Sequence, residues 1–293
     1  MASCTLIPSI VPADAAEPDF PIPETLPLDR TDYGVARRAF ATRLLQKGPA
    51  PDDQRLLGTP PEARRITYPG GPDGSIELVA WISPYEETGK PKPAVLFLHG
   101  GNATGDGHWL LMKPYVEAGF VVMLPSFRGE NGQQGYFSGF YDETTDALAA
   151  ATYLENRPGI DKERLFIAGH SNGGTLSLLA GMDRKFRAAV PISAGVSAWR
   201  FFARWQQDIR FDRTDPKEFL MRSSACFATS LKCPTYLLRG SEERPFDEDH
   251  QLLIDRVRGA GGKIDTRILP GTHTGVVPGA VHESIRFFNQ FMA

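Results

Sequence analysis

From residue 64 onward, short apolar runs alternate with longer amphipathic stretches along the 293-residue chain. Residues 64–68 and 76–82 flank Pro69-Gly70-Gly71-Pro72-Asp73-Gly74 and predict a hairpin. Residues 94–98, 120–124, 165–168, 188–193, 235–238 and 266–269 are short and apolar, as expected of strands covered on both faces. Between them, 110–118, 144–155, 173–181, 248–260 and 279–292 carry helical spacing. Strand and helix in alternation predict an α/β fold with a mostly parallel sheet and helices on both sides.

Two stretches break this rhythm. Residues 1–63 form an N-terminal extension: 1–31, rich in Pro, Asp and Ala, predict no regular structure, 33–47 predict one helix, and 48–63 predict a proline-rich linker. Residues 197–232 interrupt the main domain (64–293) with Trp199, Phe201, Phe202, Trp205, Phe211 and Phe219, and predict a small helical cap over the carboxyl ends of the strands. Trp199 and Trp205, with Trp109, are candidate walls of a substrate pocket. Packing of the cap onto the body is the competing role for each.

Composition narrows the function classes. A formal net charge of −3 with scattered Lys and Arg gives no basic stripe, so no nucleic-acid partner is expected. No run of about 18 apolar residues occurs, so no membrane span is expected. Cys4, Cys226 and Cys233 make no disulfide framework and are expected as reduced thiols. Residues 1–16 contain no Lys or Arg and are interrupted by Pro8 and Pro12, so they read as a leader or a trimmed signal remnant. The expected location is cytoplasmic, with a periplasmic or secreted protein as the alternative. The sequence leaves the oligomeric state open.

The strongest chemical signal is Gly169-His170-Ser171-Asn172-Gly173, with an apolar run before it and a helical pattern after it. A Gly-x-Ser-x-Gly turn between strand and helix presents a nucleophilic serine, and its glycines leave room where backbone segments crowd. A glycine turn holding an incidental serine is the competing account. Leu98-His99-Gly100-Gly101, Ser126-Phe127-Arg128-Gly129 and the serine turn, in that order, resemble the α/β-hydrolase superfamily, most closely its prolyl-oligopeptidase-like and dienelactone-hydrolase-like branches.

That resemblance covers roughly 64–293 and implies a Ser, acid, His order of catalytic residues. His273, in a loop leaving the last strand, is the expected base, and His282 is expected to face solvent. The family acid is usually Asp in a Gly-x-x-Asp turn. Here the turn reads Gly240-Ser241-Glu242-Glu243, which makes Glu243 the expected acid, with Asp247 and Glu242 as alternatives. The oxyanion donors expected are the backbone N–H of Asn172 and that of Gly101 or Asn102. About sixty residues precede the first strand, too few for the propeller of the larger oligopeptidases.

His99, Asp106 and His108 are weighed as a metal site and set aside, so neither metal nor cofactor is expected. His170 is expected to pack beside the turn, and Arg128 to anchor its loop. The expected function is hydrolysis of a small or medium acyl ester through an acyl-enzyme. The alternatives are a peptidase or amidase acting on short peptides, and a non-catalytic binding protein on the same fold.

Overall fold

A computed structural model describes residues 17–52, 57–243 and 247–293. The leader 1–16 and Cys4 lie outside the described residues. The hairpin is β1 (Arg64–Gly70) and β2 (Ile76–Ile82). Then come β3 (Lys92–Leu98), β4 (Val121–Pro125), β5 (Ile160–His170), β6 (Ala189–Ile192), β7 (Thr235–Gly240) and β8 (Ile264–Leu269). They form one eight-stranded sheet in the order β1-β2-β4-β3-β5-β6-β7-β8. The two pairings of β2 are antiparallel and the rest are parallel. This is the α/β-hydrolase architecture.

β3 from Pro93, β4, and β5 from Leu165 are buried on both faces, and successive side chains enter different cores. Ala94, Leu96 and Leu98 of β3 face one core, with Val121 and Met123 of β4 and Leu165 and Ile167 of β5. Val95, Phe97, Val122, Leu124, Phe166 and Ala168 face the other. The first core is covered by α1 (Tyr33–Arg38), α4 (Tyr141–Glu155), α5 (Asn172–Asp183) and α8 (Asp247–Gly259). The second is covered by α2 (Asp106–Leu110), α3 (Lys113–Glu117) and α9 (Val277–Asn289). In α9, Phe288 is wholly buried against Phe166, ring centroids 4.6 Å apart. Burial of such a ring contributes about 2–3 kcal/mol.

Two helices differ from expectation. The stretch 110–118 is split into α2 and α3, because Pro114 lacks an N–H and suits the first turn of a new helix rather than the interior of one. The helix expected over 33–47 ends at Arg38. Beyond it the backbone is captured by tertiary bonds: Arg43 N–H donates to Glu218 Oε1 at 2.6 Å, and Leu44 bridges Phe211.

The cap holds α6 (Ala198–Arg204), a 3₁₀ turn at 206–208, α7 (Pro216–Leu220) and a 3₁₀ segment at 224–230. Its aromatics make its own core: Trp199 stacks on Phe219 at 5.5 Å, and Phe202, Phe211 and Phe219 meet edge-on. Arg222, wholly buried, lies 4.0 Å over Phe211 and pairs with Glu218 at 2.5 Å. The N-terminal extension completes this layer. Phe20 packs on Phe219, Tyr33 O–H donates to Met221 O, and Tyr33 N–H donates to Ser230 Oγ. Among the described residues no helix is long and apolar enough to cross a membrane.

Candidate active site

Five strand ends converge at the carboxyl edge of the sheet, where open α/β sheets hold their sites. β5 ends at His170, Ser171 turns, and α5 begins at Asn172. Ser171 adopts φ 55° and ψ −116°, a conformation that L-residues rarely hold. A Cβ at Gly169 would strike the carbonyl of Gly173, and one at Gly173 would strike the carbonyl of Leu98. The glycines therefore permit the turn to press against the end of β3. Ser171 N–H is tied to Ile192 O at 2.9 Å.

The loop after β8 carries His273, and the turn after β7 carries Glu243. Ser171 Oγ–H donates to His273 Nε2 at 2.8 Å, and His273 Nδ1–H donates to Glu243 Oε2 at 2.9 Å, in the tautomer that this pairing requires. The other carboxylate oxygen, Oε1, accepts Ser193 O–H and Gly240 N–H, both at 2.5 Å. Burial pushes the Glu243 carboxyl up, but bonds from His273, Ser193 and Gly240 outweigh burial and hold it below the usual range. The structure thus brings Ser171, His273 and Glu243 into one hydrogen-bonded row. Glu242 is exposed. Asp247 opens α8, and its side chain lies outside the described residues. His282 is exposed on α9.

His170 has a more specific place than packing alone. Its Nε2–H donates to the carbonyl of His273 at 2.7 Å, which fixes the loop that carries the base. Burial, and then the charge of His273, push the His170 imidazole down to about 4, so it stays neutral.

The turn after β3 lies beside Ser171, because Leu98 pairs with Gly169 across β3 and β5. Asn102 N–H donates to Asp52 Oδ2 at 2.6 Å, so this donor is engaged. Among the described residues no acceptor takes Gly101 N–H, and Asn172 N–H belongs to the unpaired first turn of α5. Asn172 Nδ2 donates to Gly101 O and Asn102 Oδ1, locking the two segments together.

Behind the turn, His99 Nε2 lies 3.0 Å from Glu130 Oε2, both side chains buried, without hydrogen-bond alignment. Burial opposes protonation of His99, but Glu130 outweighs it and raises the imidazole above its usual value. Thr104 is held through both backbone groups by Asn131. Arg128 binds Asp146 through Nε and Nη2 at 2.8 and 2.6 Å, anchoring its loop to α4. Among the described residues no group of three His, Cys, Asp or Glu side chains is arranged to hold a metal. Cys226 and Cys233 are free and buried.

Two of the three candidate pocket residues are core residues. Trp109 is buried edge-on against Trp81 in the second core, and Trp199 is buried in the cap. Trp205 is half-buried at the end of α6. A small recess beside Gly101, Asn102 and Asn172 is lined by Phe127, Phe137, Phe140 and Leu176 together with His99, Glu130 and Glu143. Ser193, Glu130 and Asp52 also belong to the site. No motif or spacing in the sequence marks them.

The fold and this Ser–His–Glu row define the α/β-hydrolase class of serine hydrolases. A family model described as the prolyl oligopeptidase family matches residues 110–288, which span Ser171, Glu243 and His273. The chain belongs to that family. YtmA of Bacillus subtilis (strain 168), an uncharacterized peptidase, is 26% identical over 151 residues, 48% of this chain and 59% of YtmA. Human dipeptidyl peptidase 8 is 31% identical over 181 residues, 56% of this chain and 19% of that protein. A puromycin-hydrolyzing peptidase of Mycobacterium tuberculosis shares the fold, with a TM-score of 0.67 and 21% identity over 79% of this chain and 40% of its own.

Proposed function

We propose that this protein hydrolyses amide bonds of short peptides through an acyl-enzyme formed on Ser171. The observation that carries this reading is the unbroken row from Ser171 Oγ through His273 to Glu243. A serine hydroxyl is a weak nucleophile until a base takes its proton. His273 Nε2 takes that proton as Oγ attacks the carbonyl. Glu243 holds the tautomer and stabilises the imidazolium. The N–H groups of Asn172 and Gly101 face the developing oxyanion, and each such donor supplies about 3 kcal/mol in comparable sites. His273 then protonates the leaving amine, and water, activated by His273, releases the acid and restores Ser171.

The cap and the short N-terminal extension favour ester substrates when the sequence is read alone. Membership of the prolyl oligopeptidase family, and relatives described as peptidases, support the amide reading instead. The test is a panel of aminoacyl-p-nitroanilides beside p-nitrophenyl esters, with Ser171→Ala as control. Turnover of anilides that disappears in Ser171→Ala is expected. Turnover of esters with no anilide cleavage would return the assignment to an esterase.

A further inference from the structure

The N-terminal extension does not stop at the cap. Leu45 N–H and Gln46 N–H both donate to Arg210 O in the cap. Phe137 N–H then donates to Gly48 O, and Ala50 N–H donates to Gly129 O at 2.8 Å. Ala50 is buried against that loop. Residues 44–52 therefore run from the cap, along the loop after β4, to the turn after β3, where Asp52 meets Asn102 N–H.

Asp52 reaches the turn at its most sensitive point. Gly101 has φ 71°, and a Cβ built there would lie 3.1 Å from Asp52 Oδ2, so the carboxylate covers the open face of Gly101. Asn102 N–H, one of the two alternatives for an oxyanion donor, is occupied by it. The other alternative, Gly101 N–H, would receive its oxyanion beside a fixed negative charge. Electrostatic stabilisation of an acyl-transfer transition state requires the opposite field. The Asp208 carboxyl in the cap is pushed up to about 6, by burial first and by Asp52 second.

We infer that residues 44–52 form an autoinhibitory strap, with Asp52 as an internal competitor for the oxyanion turn that substrate must displace. This rests on the hydrolase reading above. An internal acceptor of this kind lowers the reactivity of Ser171 toward any acylating agent, whatever its leaving group. It acts on the ground state of the free enzyme, so its removal raises kcat/KM and the rate of covalent labelling together.

The experiment measures the second-order rate of Ser171 labelling by a neutral fluorophosphonate, and amide hydrogen exchange at Asn102, in the full chain. Wild type, Asp52→Asn, Asp52→Ala and Ser171→Ala are compared. Asp52 is exposed, so both replacements leave the core intact. Asp52→Ala is expected to label about tenfold faster, the order of one hydrogen bond to a charged group, with faster exchange at Asn102. Asp52→Asn, which keeps an acceptor but loses the charge, is expected in between. Labelling of wild type with equal or slower labelling of Asp52→Ala overturns the strap and leaves the hydrolase standing. Absence of labelling in both folded wild type and Asp52→Ala overturns the hydrolase reading, and the strap with it.

Discussion

Replacing Glu243 by Gln tests the candidate site through the geometry of a single amide. The carboxylate accepts on both oxygens: Oε2 from His273 Nδ1–H, and Oε1 from Ser193 and Gly240. An amide has one oxygen to offer. If that oxygen stays with Ser193 and Gly240, the NH₂ faces His273 Nδ1, which must then become an acceptor. The ring proton moves to Nε2, and Nε2 no longer takes the proton of Ser171. If the amide is turned round, its NH₂ opposes the backbone N–H of Gly240, donor against donor. Both arrangements also lose the charge that stabilises the imidazolium. Loss of the tautomer-setting carboxylate in such a row lowers kcat by roughly 10³- to 10⁴-fold, about 4–5.5 kcal/mol. Steady-state cleavage of the best anilide from the panel, with labelling by fluorophosphonate, reads the effect. A kcat within about threefold of wild type in folded Glu243→Gln would refute the assignment and make Glu243 a loop anchor only.

Other outcomes follow from burial and space. Gly173→Ala drives a methyl group into the carbonyl of Leu98, so the variant is expected to lose labelling and at least about 3 kcal/mol of stability, read by urea unfolding. Phe288→Ala removes a wholly buried ring from the second core and should cost about 3–5 kcal/mol by the same measurement, with Ser171 still labelled in the folded fraction. Glu143 is buried beneath Ser138, and burial pushes its carboxyl from 4.5 up to about 7. A raised carboxyl favours the protonated form in the folded state. Stability is therefore lost as pH rises from 4.5 to 7, by at most roughly 3 kcal/mol (2.5 × 1.36). Glu143→Gln keeps both contacts to Ser138 without the ionisation. Its Tm should exceed that of wild type at pH 8 and match it near pH 4, and an equal difference at both values would contradict this account.

Much of the fold was legible because β3, β4 and the second half of β5 carry short apolar runs between helical patterns, as a sheet buried on both faces requires. The serine turn was legible because its glycines are spaced by steric need. His273 could be singled out because it follows a strand directly. Glu243 was harder, since three acids crowd one turn and only the fold decides which of them reaches an imidazole. The helical spacing over 33–47 overruns α1, because Arg43 and Leu44 satisfy their backbone through residues more than 160 positions away. Asp52 and Ser193 carried no signal at all. One lies in a proline-rich stretch and the other at a strand end, and each gains meaning only from what the fold sets opposite it. Trp109 and Trp199 show the converse: each is a large aromatic residue near the site in sequence that the fold buries in a core.

The bonds of Tyr33 to Met221 and Ser230 span 188 and 197 positions. During synthesis the N-terminal segment emerges first, yet its partners in the cap leave the ribosome some two hundred residues later. At 5–20 residues per second that interval is roughly 10–40 s. Over that time Phe20, Leu26 and Tyr33, all buried in the finished molecule, have no cap to cover them. Completion of the cap is thus a late event in the life of each new chain. Until then the apolar residues upstream of the first strand are open to chaperones, proteases and other nascent chains.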